Sequence, residues 1–310
     1  MSRSIGIDIG NTRIRTVVMY DEAVYGEETA AVAVNEAEKK IVACGDDALA
    51  LAERVPGSVK IVYPFIGNAT PDPAYAYMMM SYILKKTRSK GADVFLSVAG
   101  EQSRKTDSLY LNALKNAGDV ITVDSTFAAM RGCGIKDAAD SVIVNIGHSV
   151  TDIAVYYNGN AEKTLSVTHA GAEFDKAIMA YLYKQHHAKV TEQEADRIKR
   201  EIGTLNAVGD GKTAYCCLRQ ALGLPKNMNV GAPEISSALE PVFDELADSV
   251  LDALRDLRYK PDKLILTGGG ALLDGIAQSL VPLVCMPVEV AEDPQHAVIR
   301  GLCKIMEEQA

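Results

Sequence analysis

The chain has 310 residues, 48% of them apolar and 24% charged, with a formal net charge of −9. That is material for two ordinary domains or one fold in two lobes, and the acidic balance excludes the basic face that a nucleic-acid partner requires. No apolar run approaches the ~20 residues that span a bilayer, the first residues lack a signal-peptide core, and six cysteines without a Cys-x-x-Cys pair suit reduced thiols in a cytoplasmic protein.

Residues 4–9 read as a strand, Gly10-Asn11 as a turn and 13–20 as the returning strand. A third short strand is expected at 30–34, and helices at 45–54 and 73–88. A compact apolar strand at 94–99 leads to a helix over 102–117, a strand at 120–123 and a small-residue helix from Thr126. The opening pattern then returns, with a strand at 141–146, a turn at Gly147-His148-Ser149 and strands at 151–157 and 163–169. Asp8-Ile9-Gly10 and Asn145-Ile146-Gly147 are matched tips 137 residues apart, which reads as a duplicated domain rather than a short repeat. Residues 172–188, 191–203 and 213–222 read as helical or loop-like, and 204–213 as a polar surface loop. Over 234–258, Ile235, Leu239, Val242, Phe243, Leu246, Val250, Leu254 and Leu257 recur at three- and four-residue steps, the clearest helix in the chain. Leu264–Leu266 reads as a buried strand ending at Thr267-Gly268-Gly269-Gly270, followed by a helix over 271–280, a strand at 288–290 and a helix over 294–308. Strands and helices mixed in this order make an α/β fold.

Phosphates need donors that approach closely, so the turns that bind them are rich in glycine and hydroxyls. The first tip offers Asp8, Gly10, Asn11 and Thr12, with Asp8 placed to reach a magnesium ion directly or through water. The second offers Gly147, Ser149 and Thr151. The triple glycine at 268–270 lets a flat or charged ligand lie against bare backbone. An ordinary hairpin turn would explain one tip; two matched tips and a third glycine-rich turn favour a polyphosphate ligand. Gly209-Asp210-Gly211-Lys212-Thr213 ends like a P-loop, but Asn206 stands where that motif needs glycine. His186 and His187 read as a solvated helix end, and Met78–Met80 as core filler.

These three places resemble the two phosphate motifs and the adenosine motif of the actin, sugar kinase and heat-shock-chaperone superfamily. Within it, the connecting segments 55–64, 169–178 and 195–203 resemble the MreB family of bacterial actins. The resemblance covers about 5–203 and 234–303 and is weak between them. It implies an actin-like two-lobed fold, duplicated ribonuclease-H-like domains around a nucleotide cleft. The N-terminal lobe would be 1–140, with a small subdomain at about 29–54 and the segment 294–310 packing back on it. The C-terminal lobe would be 141–293, with a small subdomain at about 176–230. It implies ATP and Mg2+ as ligands and self-association into filaments serving cell shape or intracellular organisation. Partners would be membrane-associated or cell-wall machinery proteins. By position, Asp8, Gly10, Asn11, Thr12, Gly147, Ser149 and Thr151 would face phosphates, with Asp8 the metal residue. Gly171 and Glu173 would line the cleft near the ribose, Lys199 with Asp196 would flank the base, and Gly268, Gly269 and Gly270 would lie under the adenosine.

Two departures bear on catalysis. Where the family usually has a water-orienting Glu in a Glu-Glu-Pro turn, this chain has Ser125 in Asp124-Ser125-Thr126; where its second motif opens with Asp, this chain has Asn145. An amide neither takes a proton from water nor offers magnesium a full charge. Asp124 is the one substitute by position, but it would have to point the other way on its strand. His148 and Ser149 also crowd a turn that the family keeps glycine-rich. ATP binding with slow or absent hydrolysis is expected, at most a weak ATPase. Two other readings stay open: a non-polymerising actin-like scaffold or chaperone/reactivase-type ATP-binding protein, and a small-molecule kinase, for which 310 residues leave little room for an acceptor pocket.

Overall fold

The computed structural model describes residues 3–55, 57–65, 73–98, 111–135, 140–206, 211–220 and 225–309. The chain forms two compact units, Met1–Asp137 with Gln295–Ala310, and Ala138–Pro294.

In the first unit, β1 (Ser4–Ile9), β2 (Arg13–Met19) and β3 (Ala23–Thr29) form an antiparallel meander. A small sheet follows, with β4 (Val32–Asn35) between β5 (Lys40–Cys44) and β6 (Val59–Val62), and α1 (Asp46–Arg54) lying between β5 and β6 in sequence. Then come α2 (Pro73–Lys86), β7 (Asp93–Val98), β8 (Val120–Asp124) and α3 (Ser125–Gly132). The main sheet has the order β3-β2-β1-β7-β8, with β1, β7 and β8 parallel. Both faces of its central strands are covered, which explains their near-continuous apolar runs. On one face, Ile5, Ile7, Ile14, Val94 and Leu96 meet Ala76, Met79, Met80, Ile83 and Leu84 of α2. On the other, Gly6 and Val17 meet Leu302 and Met306 of the C-terminal helix (Ala297–Gln309). That helix and α3 touch backbone to backbone: a Cβ on Gly132 would overlap the Ala297 carbonyl, and one on Gly301 the Ala128 carbonyl.

The second unit repeats the plan. β9 (Ser141–Ile146), β10 (Thr151–Tyr157) and β11 (Asn160–Val167) are an antiparallel meander. Next are α4 (Gly171–His186), β12 (Ala188–Lys189), α5 (Glu192–Ile202), β13 (Thr213–Gln220) and β14 (Pro225–Gly231). The long α6 (Ala232–Leu254), β15 (Lys263–Thr267), α7 (Ile276–Val284) and β16 (Val288–Val290) complete it. Its main sheet has the order β11-β10-β9-β15-β16, with the last three strands parallel, and β12-β13-β14 make a small sheet. The core joins the central strands to Phe174, Ile178 and Leu182 of α4 and Ile235, Leu239, Leu246 and Val250 of α6.

Several elements differ from the sequence expectation. Residues 213–220 form a strand, not a helix or loop, because Ala214 and Cys216 are buried while Thr213 and Tyr215 are exposed, a period of two. The strand expected at 30–34 is β4, but no strand is expected at 23–29, where β3 has an exposed middle and its sequence lacks an apolar alternation. The helix expected from 271 starts at Ile276; Gly269–Leu272 form a 3-10 turn and Gly275 is left-handed. Most of the helix expected over 102–117, and Gly209-Asp210 of the P-loop-like run, lie outside the described residues.

Candidate functional site

The two hairpin tips share one backbone geometry. Gly10 N donates to Arg13 O at 2.9 Å, and Gly147 N donates to Val150 O at 2.9 Å. A Cβ on either glycine would stand 2.8 Å from that same carbonyl oxygen, so each turn closes tightly only with glycine at its corner. The strand registers match as well: Asp8 lies opposite Arg15, and Asn145 opposite Asp152.

At the first tip, Asn11 Nδ2 is buried and has no hydrogen-bond partner among the described residues. A buried donor without a partner calls for an explanation, and a ligand oxygen supplies one. Thr12 is exposed, and its carbonyl accepts from Ala30 N at 2.9 Å. Burial pushes the Asp8 carboxyl above its ordinary value, while Arg15, a hydrogen bond with Ser97 and the nearby His296 pull it down. Arg15 Nε and Arg13 Nε share Glu27, at 3.3 and 3.4 Å. The charges beneath this tip are thus paired within the unit.

At the second tip the residues divide. Ser149 is half-buried on the apex, whereas Thr151 is fully buried and its hydroxyl donates to His169 O at 2.7 Å. That hydroxyl fastens the hairpin instead of facing a ligand. The first turn of α4 is sewn onto the tip: Gly171 N donates to Gly147 O at 3.1 Å and Ala172 N to His148 O at 2.6 Å. The approach is close at Gly171, where a Cβ would lie 3.2 Å from Gly147 O. Glu173, two residues further on, pairs with Lys176 at 2.8 Å.

Lys199 does not reach outward. Its ammonium sits 2.8 Å from Asp175 Oδ1, 3.0 Å from Gly171 O and 3.4 Å from Asp196 Oδ1, so it ties α5 to the first turn of α4. Asp196 also pairs with Arg200, at 2.7 Å. Asp175 is 2% exposed; burial pushes its carboxyl up against the pull of Lys199. Sequence reasoning gave Asp175 no role, yet a signal was present: it lies on the apolar stripe of α4 at helical spacing from Ile178 and Leu182.

The glycine-rich turn also divides. Gly268 has φ 80°, and its Cβ would overlap Ile146 O and stand 2.7 Å from Asn145 Oδ1; a Cβ on Gly270 would overlap the Ile146 side chain. Both therefore let the turn pack on the second tip, while Gly269 is the exposed member. Asn145 Oδ1 accepts from Thr267 Oγ1 at 3.3 Å on the neighbouring strand. Asp124 is occupied as the cap of α3: its Oδ1 accepts from Thr126 N at 2.8 Å and Phe127 N at 3.0 Å, and Ser125 behind it is buried.

A sequence profile of the family described as MreB/Mbl protein matches residues 2–310. The chain belongs to the MreB/Mbl family. It is similar to the cell shape-determining protein Mbl of Bacillus subtilis, 27% identical over 97% of this chain and 94% of the relative. It is equally similar to the cell shape-determining protein MreB of Escherichia coli, 27% identical over 99% and 94%. Among solved structures, the fold is that of MreB5 of Spiroplasma citri bound to ADP, with TM-score 0.89, 24% identity and coverage of 100% of this chain and 97% of that one. It is also that of the MamK double helical filament, with TM-score 0.82, 18% identity and coverage of 98% of both chains.

Each unit carries a glycine-cornered, phosphate-type turn of its own, and at the first of them a buried amide nitrogen lacks a partner among the described residues. Magnesium is commonly held by one or two carboxylates together with ligand phosphates and water. Asp8 would be the carboxylate available at the first tip; at 145 the side chain is an amide turned onto Thr267. Among the described residues no group of three His, Cys, Asp or Glu side chains could hold a metal by itself. No helix among the described residues is long and apolar enough to cross a membrane.

Proposed function

We propose that this chain is an ATP-binding cytoskeletal protein of the cytoplasm. It assembles with itself into filaments that serve cell shape or intracellular organisation, and it hydrolyses ATP slowly or not at all. The observation that carries the reading is the partnerless Asn11 amide nitrogen, on a tip whose glycine geometry recurs at Gly147. The cell-shape names of the Mbl and MreB relatives support it, as do solved neighbours described as bound to ADP, bound to AMPPNP and as a double helical filament.

In this reading the Gly10, Asn11 and Thr12 tip and the Gly147 and Ser149 tip donate to phosphate oxygens, and Gly269 lies under the adenosine. Gly171 and Glu173 stand near the ribose, and Lys199 with Asp196 positions α4 instead of touching the base. Asp8 holds Mg2+ through water, and the bound ion screens phosphate charge. Partners are membrane-associated or cell-wall machinery proteins. Hydrolysis is slow because the family's two carboxylate positions hold Ser125 and Asn145, and Asp124 caps α3. Loss of a positioned acid or base lowers a rate by ~10²–10⁴-fold.

Titration calorimetry with ATP and Mg2+, with electron microscopy of the same samples, tests this. ATP binding and nucleotide-dependent filaments are expected. Binding without filaments would instead support a non-polymerising scaffold, and no binding at millimolar ATP would overturn the reading.

A further inference from the structure

His148 stands at the apex of the second tip, between Gly147 and Ser149. It cannot withdraw, because α4 holds its carbonyl at 2.6 Å through Ala172 N and the preceding carbonyl at 3.1 Å through Gly171 N. Its ring is half-buried, and among the described residues neither ring nitrogen has a hydrogen-bond or ion-pair partner. The charges facing it come from two helices: Asp175 of α4, and Glu192, Asp196 and Lys199 of α5. Lys199 is already paired with Asp175 and Asp196, and Glu173, also on α4, with Lys176. An imidazole fixed at the apex of a phosphate-type turn, with both nitrogens available, has no structural task there.

We propose that His148 is a phosphate-contacting residue that binds a proton when a nucleotide polyphosphate occupies the second tip, so that nucleotide binding and proton uptake are coupled. This rests on the nucleotide-binding reading and adds the means by which the site responds to pH. Without ligand, burial holds the imidazole below its ordinary value, outweighing the pull of Asp175, so the ring is neutral near pH 7. A polyphosphate adds negative charge that one Mg2+ only partly offsets, and Lys199 is already shared by Asp175 and Asp196. One unit charge at about 6 Å, through an effective dielectric of about 20, moves a proton equilibrium by roughly two pH units. The bound-state value then lies well above the free-state one.

The direction of the linkage follows. Between those two values the complex holds more protons than the free chain, so affinity falls as pH rises, by up to ~10-fold per pH unit. In the ligand-free chain the sign is opposite. The unfolded histidine binds protons more readily than the folded one, so stability falls as pH drops below about 6.5.

Calorimetry of ATP with Mg2+ at pH 7.5, in two buffers of different ionisation enthalpy, counts the protons exchanged; the terminal phosphate is by then largely ionised. Wild type should take up a substantial fraction of a proton and bind several-fold more weakly at pH 8 than at pH 7. His148→Gln should bind ATP with little proton exchange and little pH dependence. Equal heats in both buffers for wild type, or unchanged uptake in His148→Gln, overturns the proposal while leaving nucleotide binding intact. If His148→Gln does not fold, the wild-type buffer pair still decides. No binding of ATP at all overturns both this proposal and the reading beneath it.

Discussion

Leaving an amide nitrogen buried without a partner costs about 1–3 kcal/mol, and Asn11 Nδ2 carries that cost in the ligand-free chain. Asn11→Leu should therefore stabilise the free protein by up to about 1 kcal/mol while weakening ATP binding several-fold. Thermal melts and calorimetry on the same variant check both halves, and a loss of stability would make Asn11 a structural residue. The glycines after β15 separate in a similar way. Gly268→Ala should destabilise the chain by roughly 1–3 kcal/mol in urea denaturation, because φ is 80° and the Cβ meets Ile146 O. Gly269→Leu, at the exposed member, should change stability by less than about 1 kcal/mol yet weaken ATP binding tenfold or more. The proposed slow hydrolysis turns on two other positions. Asn145→Asp keeps the acceptor for Thr267 Oγ1 and adds charge, and Ser125→Glu adds a water-orienting carboxylate. Together they should raise phosphate release by ~10-fold or more, and neither alone need suffice, since such groups act as a unit. A double variant that binds ATP without faster turnover would assign the limit to geometry.

At the scale of elements, the contact between α3 and the C-terminal helix depends on two reciprocal glycines. Gly301→Val would drive a side chain into the Ala128 carbonyl, so the helices must separate, and a loss of more than about 3 kcal/mol is expected. Hydrogen exchange should show deprotection of α3 and the C-terminal helix before α6. This contact was not legible in the sequence, where Gly132 and Gly301 look like weak points of two short helices. β1, β2, β9 and β10 were legible because their apolar runs are broken by a glycine-cornered turn. β3 was not, since Tyr25 is exposed and the charged residues of its end are held from other elements, Glu27 by Arg13 and Arg15 of the neighbouring β2 and Glu28 by Lys86 of α2. The same limit applies at the candidate site. The tips show in local sequence, but the tasks of Lys199, Thr151, Gly268 and Gly270 depend on partners brought in from other elements.

At the scale of the whole molecule, one sheet plan occurs twice, antiparallel meander first and parallel pair after, with a glycine-cornered tip in the same place each time. In the proposed self-assembly, copies of a chain of net charge −9 bring like charges together. Screening should therefore lower the concentration needed for assembly as salt rises from ~10 mM to ~150 mM, over which the Debye length shrinks from about 30 to about 8 Å. Light scattering across that range measures it, and assembly that weakens steadily with salt would point to contacts between opposite charges instead.

The C-terminal helix completes the first unit after the whole of the second has been made, for the chain leaves that unit at Asp137 and returns at Gln295. During synthesis the second unit thus has all its strands and helices while the first still lacks the helix that covers Gly6, Val17 and Ala128. The last unit to be finished is the one that began first. A ribosome that stalls late would release a chain with one finished half and one open sheet face, the state most exposed to aggregation and to capture by chaperones.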